Sequence, residues 1–206
     1  MALVVCFAAC SKSNVDTAHS ARRAAPRAAP PPQAASSRAV VGKAPVVAGA
    51  LPIVTLDVRD EQTLPMPAGV PILDQYLLTF FPEVLFIRTG QSAEFRNSDG
   101  VLHNVRVRVS GTNVPAFNIA LPSGGVYRHV FERKGLYDVL CDIHSGMSAT
   151  IVASSTPYAT IVDAKGGFVF NDVPPGKYMV TVYSSVQSRI ERNIHVGDGR
   201  TEVNIE

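Results

Sequence analysis

A chain of 206 residues, 46 % of them hydrophobic, has material for one or two modest domains with a folded core. Its formal charge of +2 hides an asymmetry: residues 11–50 carry +5, so the remainder is mildly acidic at −3. No apolar run approaches the about 18 residues that span a bilayer. The cations of the tail stand among Ala and Pro without aromatics, which argues against nucleic acid as a partner and for a solvated linker.

Residues 1–10 open on the apolar run Met1-Ala2-Leu3-Val4-Val5-Cys6-Phe7-Ala8-Ala9 and reach Cys10. Small residues just before a Cys resemble the lipobox of bacterial lipoproteins, with Phe7 where that family usually has Leu. The resemblance implies a signal segment over 1–10 and lipid on Cys10. It also implies a periplasmic location, with membrane contact only through that anchor. Cys6 would be removed, so Cys141 would be the one thiol left and no disulfide framework would form. Residues 11–50 read as an Ala/Pro-rich disordered linker, because such a stretch cannot bury a core and its prolines favour an extended spacer.

From residue 51 the chain alternates in short strands. Segments 53–58, 84–88 and 93–96 are followed by the turn Asn97-Ser98-Asp99-Gly100. Val101 to Val109 alternates Val with Arg, as a half-buried strand does. Segments 126–131, 136–140 and 149–152 complete a first domain, 51–155. Thr156-Pro157 marks a boundary, and five short segments follow in 156–206, turning at Lys165-Gly166-Gly167 and Val173-Pro174-Pro175-Gly176. That module is small for an independent core and is expected to borrow a strand, with 53–58 the candidate. The fold class is all-β: a Greek-key β-sandwich followed by a small β-sandwich module.

Chemistry concentrates at Cys141-Asp142-Ile143-His144-Ser145-Gly146-Met147, with His103 lying 41 residues before His144. One thiolate, two imidazoles and a thioether suit copper: His₂Cys in a plane with a weak axial Met is the pattern of blue-copper electron-transfer centres. Cys141 would give the short thiolate bond, His103 and His144 the rest of the plane, and Met147 the long axial bond. His103 follows the 97–100 turn and the other three share one loop between strands 136–140 and 149–152, so a rigid scaffold can fix all four.

With these residues on the page the chain resembles the cupredoxins. The residues concerned are Asn97-Ser98-Asp99, His103-Asn104-Val105, Gly135-Leu136-Tyr137 and Cys141-x2-His144-x2-Met147. The short ligand loop is similar to that of amicyanin. The wider stretch looks like methylamine-utilisation-like proteins, in which a cupredoxin is joined to a carboxypeptidase-regulatory-like (transthyretin-like) module. Asp74-Gln75, Phe80-Phe81-Pro82, Phe117-Asn118 and Val173-Pro174-Pro175-Gly176-Lys177-Tyr178 carry that likeness. It implies one copper ion cycling between Cu(I) and Cu(II), ligated by His103, Cys141, His144 and Met147. It implies that Asn104, with Asp142, ties the two ligand segments together, and that electrons pass at His144. The redox partner would be a protein such as a cytochrome or a dehydrogenase. Ser145-Gly146 replaces the family's Pro-containing spacer, and Arg106 and Arg108 are expected to put positive charge on the face near the site.

His129 and His195 lie on alternating strands without ligand neighbours and read as structural, and His19 falls in the linker. Met66 and Met179 read as packing or loop residues. Five histidines cannot supply the further clusters of a multicopper enzyme, and no nucleophile–base motif is present. The chain is therefore read as a carrier rather than an enzyme. Two alternatives stand beside it: a copper-binding or storage module without redox partners, and a carbohydrate- or protein-interaction module with a vestigial metal site.

Overall fold

Strand propensity and alternation decide the architecture, and among the described residues of the computed structural model no helix forms. The structure describes residues 38–46, 52–60, 63–184 and 188–205. Cys6, Cys10 and most of the 11–50 linker lie outside these residues.

The strands in chain order are β1 (Ala39–Lys43), β2 (Ile53–Val58), β3 (Ile72–Tyr76), β4 (Thr79–Phe81), β5 (Val84–Arg88), β6 (Ser92–Asn97), β7 (His103–Val109) and β8 (Pro115–Leu121). They continue with β9 (Val126–Val130), β10 (Gly135–Leu140), β11 (Ser148–Ser154), β12 (Ala159–Ile161), β13 (Gly167–Asn171), β14 (Gly176–Tyr183), β15 (Arg189–Val196) and β16 (Thr201–Asn204).

Two sandwiches result. The first stacks the five-stranded sheet β5-β11-β10-β7-β8 on the four-stranded sheet β4-β3-β6-β9. Its core takes Leu73, Phe95, Val105, Val107, Phe131, Val139 and Ile151, each at most 2 % exposed. In β7 the valines face this core and the arginines face out, as the alternation requires. The second sandwich stacks β13-β1-β16 on β12-β2-β14-β15 around Val40, Val54, Leu56, Tyr178, Val180 and Val182, all fully buried.

The second sandwich is discontinuous in sequence. β2 pairs with both β14 and β12, so segment 53–58 belongs to this sheet. β1 runs antiparallel to β13 and parallel to β16, at the centre of the three-stranded sheet. The linker assigned to 11–50 is thus corrected at residues 39–43, which are strand. Ala39-Val40-Val41 are buried, and the Ala/Pro composition around them masked a segment that needs partners 124 residues away, at the register pair Lys43↔Gly167. Gly42 is required there, because a Cβ on it would overlap the Val203 carbonyl and lie 2.6 Å from the Phe168 ring.

The first sandwich is therefore inserted between β2 and β12 of the second. At the junction, buried Asp57 accepts the Ser155 N–H (2.7 Å), the Ser155 hydroxyl (2.8 Å) and the Thr55 hydroxyl (3.2 Å). The Leu56 N–H donates to the Tyr158 carbonyl at 2.8 Å. Arg88, 7 % exposed, donates to the carbonyls of Pro65 and Leu64 at 3.1 and 3.3 Å. Burial lowers the pKa of this guanidinium, opposed by the charge of Asp57.

Candidate metal centre

The ladder brings the two ligand segments together. β10 pairs with β7 at Leu140↔Arg106 and with β11 at Leu140↔Ser148. Cys141 is therefore the first residue past β10, and the loop 141–147 closes over the start of β7. The Cys141 N–H donates to the Met147 carbonyl at 3.2 Å and shuts that loop. Gly146 has φ +85°, a left-handed conformation that glycine adopts without strain.

His103 Nδ1, Cys141 Sγ and His144 Nδ1 converge. Sγ lies 3.8 Å from His103 Nδ1 and 4.0 Å from His144 Nδ1, and the two nitrogens are 2.9 Å apart. Three atoms so separated lie on a circle of radius about 2.1 Å, against metal–nitrogen bonds of about 2.0–2.1 Å and metal–sulfur bonds of about 2.3 Å. The N₂S donor set can thus hold one small metal ion without rearrangement. His103 is fully buried, Cys141 nearly so, and His144 reaches the surface. Met147 is 2 % exposed and packs in the same core as Cys141. Cys141 is the single cysteine among the described residues, and it is unpaired.

A carboxylate fixes His103 from behind. His103 Nε2 lies 2.9 Å from Asp99 Oδ2. In the neutral imidazole, Nε2–H donates to that oxygen and Nδ1 turns its lone pair to the site, as ligating histidines commonly do. Asp99 also accepts the N–H groups of Leu77 (2.7 Å) and Leu78 (3.0 Å). The Leu78 N–H bond, chiefly, holds the Asp99 carboxyl below its ordinary pKa. Partial burial opposes this, and the bonds to His103 and Leu77 add to it.

Asn104 joins the two ligand segments. Its Oδ1 accepts the Asp142 N–H at 2.6 Å, and its Nδ2 donates to Asp142 Oδ2 (3.0 Å) and Asn118 Oδ1 (2.9 Å). Its carbonyl accepts Nε2 of Gln75, a fully buried amide at 3.2 Å. Arg106 and Arg108, expected to lend positive charge to this face, are paired: Arg106 Nε with Asp142 (2.8 Å) and Arg108 Nε with Asp138 (3.2 Å).

Sequence reasoning gave Asp99, Gln75 and Asn118 no role at the centre. Asp99 looked like a turn residue, although its place four positions before His103 was the available signal. His129 and His195 lie away from the donor set. His129 packs on Phe117 and Phe131, with ring centroids 4.6 and 4.8 Å away, and burial lowers its pKa. His195 stands on β15 at the surface.

The segments that carry the site expose apolar side chains beside the exposed polar residues Ser98, Asn118, Asp142 and Ser145. Tyr76, Leu77, Leu78, Val101, Leu102 and Ile143 are all exposed. Leu77 and Leu78 touch Asp99 through their backbone, Val101 and Leu102 precede His103, and Ile143 precedes His144.

No family model and no curated protein matches this chain. Solved structures do resemble part of it. A Cu-containing nitrite reductase from Thermus scotoductus SA-01 is 26 % identical over 48 % of this chain, with a TM-score of 0.39, and the match spans 25 % of the reductase chain. A purple cupredoxin from Nitrosopumilus maritimus is 25 % identical over 42 % of this chain and all of its own, with a TM-score of 0.37. The Cu(I) form of a singly substituted amicyanin is 20 % identical over 49 % of this chain and 98 % of its own, with a TM-score of 0.37.

Proposed function

We propose that the chain is a mononuclear copper protein of the cupredoxin kind that carries single electrons. The carrying observation is the convergence of His103 Nδ1, Cys141 Sγ and His144 Nδ1 on a point about 2.1 Å from each. Two imidazoles and one thiolate at that spacing, with a buried Met147 on the same loop, suit copper better than hard-ligand metals. When bound, copper supplies a one-electron Cu(I)/Cu(II) couple.

The protein's part is to hold its donors still. β7 and the closed 141–147 loop fix the plane, Asp99 fixes the His103 tautomer, and Asn104 locks one segment to the other. A site held in this way needs little rearrangement when an electron arrives or leaves. His103 and Cys141 are shielded from water, whereas His144 reaches the surface. His144 is the point of electron exchange in this proposal, and a redox-partner protein, such as a cytochrome or dehydrogenase, would seat over it. We place the protein in the periplasm, with Cys10 lipidated as its anchor. This is a carrier role and not an enzymatic one.

The test is to titrate the purified chain with Cu(II) and record stoichiometry and visible spectrum. The expected result is one copper per chain and an intense thiolate-to-copper band that Cys141→Ser abolishes. Stoichiometric copper without that band would favour storage. Failure to bind copper would leave an interaction module with a vestigial site.

A further inference from the structure

The outer face of the sheet β12-β2-β14-β15 is polar where the inserted sandwich stands over it. Thr55 and Asp57 of β2 and Thr181 and Tyr183 of β14 share that face, with Thr55 opposite Thr181 and Asp57 opposite Met179. Their neighbours Val54, Leu56, Val180 and Val182 point the other way and fill the core. Thr55, Asp57 and Thr181 are nonetheless at most 4 % exposed. Facing them are Val109 and Ser110, just past β7, and Lys134 to Leu136, where β10 begins. Between the two sandwiches lies a cleft of about 570 Å³, within the roughly 300–1,000 Å³ of small-ligand sites. The six residues of β10 at about 3.3 Å each put about 20 Å between this cleft and the metal centre.

The charges in the cleft do not balance. Asp57 is held by Ser155 and Thr55, and Glu191 pairs with Arg189 at 3.2 Å. Arg59, just past β2, and Lys134, just before β10, also line the cleft, one from each sandwich. Neither cationic head has a partner among the described residues. Surfaces that only pack together do not enclose unpaired charge, because its desolvation is costly. We propose that the cleft binds a small hydroxylated anion, whose carboxylate or phosphate lies between Arg59 and Lys134. This site is separate from the metal centre and goes beyond the copper-carrier reading. Charge-assisted bonds from two cations give the anionic end its preference. The hydroxyls of the ligand meet Thr181, Tyr183 and Asp57. Burial raises the pKa of the Tyr183 phenol, which stays a neutral O–H donor. Asp57 Oδ2 accepts the Thr55 hydroxyl and has a lone pair left for a ligand hydroxyl. Leu136 and Met179 supply an apolar wall for the carbon skeleton.

The test titrates the full chain, metal-free, with gluconate, glucose 6-phosphate and neutral glucose, read by calorimetry. One anion per chain is expected, with glucose weaker by about tenfold or more. Binding of either anion supports the proposal, and the tighter one identifies the charged group. A chain that binds neither anion, or that binds glucose as tightly, overturns it. Arg59→Gln/Lys134→Gln should lose about tenfold or more in anion affinity, and parent affinity in this variant refutes the two-cation grip. Both residues are exposed, so the variant should keep the parent's urea midpoint. Met179→Trp leaves both cations in place but fills the cleft, and should abolish binding; retained binding would put the anion on the open surface and overturn the proposal. In the parent itself, the Met179 methyl carbon-13 signal should shift in step with the anion, and an unmoved signal at saturation refutes the site. None of these measurements needs copper, so they decide the cleft whichever way the metal titration falls.

Discussion

Gly42→Ala should unlock the second sandwich while leaving the metal centre intact. Gly42 sits in β1 between β13 and β16, opposite Phe168 and Val203. A methyl there would lie 2.6 Å from the Phe168 ring and overlap the Val203 carbonyl, against the 3.0 Å that real Cβ atoms keep. The ring can turn aside, but the carbonyl belongs to the parallel partner strand and cannot. β1 must therefore move off β16, giving up ladder pairing at Val41↔Glu202, Gly42↔Val203 and Lys43↔Asn204. Two to three backbone hydrogen bonds at about 1 kcal/mol net each, plus an overpacking cost of about 1–3 kcal/mol, give a loss of about 3–6 kcal/mol. Urea unfolding of the metal-free protein, followed by far-UV circular dichroism, reads this as a lower midpoint at unchanged slope. The copper spectrum at low urea should match the parent's, since the strand belongs to the other sandwich. A loss below about 0.5 kcal/mol, the scale of an ordinary surface change, would mean that β1 does not hold the sheet together.

Met147→Leu should keep copper and the thiolate colour but raise the reduction potential, because the thioether donor is lost; voltammetry that finds the parent potential argues against Met147 as a ligand. Asn104→Ala removes the acceptor of the Asp142 N–H and both Nδ2 bonds. Copper affinity should fall about 10–100-fold, and a competition titration showing parent affinity would refute the locking role. His129 has a pKa lowered by burial, so between about pH 6.5 and its folded value the unfolded chain binds the extra proton. Stability should therefore decline as pH falls through that window, and His129→Phe should flatten the decline; equal slopes for the two proteins would show that the burial of His129 does not set it.

The strands around the ligands could be read because they alternate. Val105 and Val107 face the core while Arg106 and Arg108 face out, and the segments on either side of Cys141 do much the same. β3 was hidden by its own residues: Gln75 looks like a surface amide, yet it is fully buried because Nε2 finds the Asn104 carbonyl across the sandwich. β8 opens on Pro115 and is an edge strand with mostly exposed side chains, so it carries little apolar period. β1 is five residues long and sits in an Ala/Pro-rich stretch, with its partners far off in sequence. At the candidate centre, the three residues that the fold brings together, His103, Cys141 and His144, were legible from type and spacing. Asp99 and Gln75 act through contacts that exist only once β3, β4 and β7 have assembled.

The insertion of one sandwich into the other dictates an order of assembly. During synthesis β1 and β2 emerge first, but β13, β14 and β16 follow more than a hundred residues later. At about 5–20 residues per second, the two early strands wait on the order of 10 s with unsatisfied edges. The inserted sandwich, whose strands all lie between residues 72 and 154, can close within that interval. The metal centre would then be built before the frame that carries it, and the late step would be a long-range loop closure of high contact order.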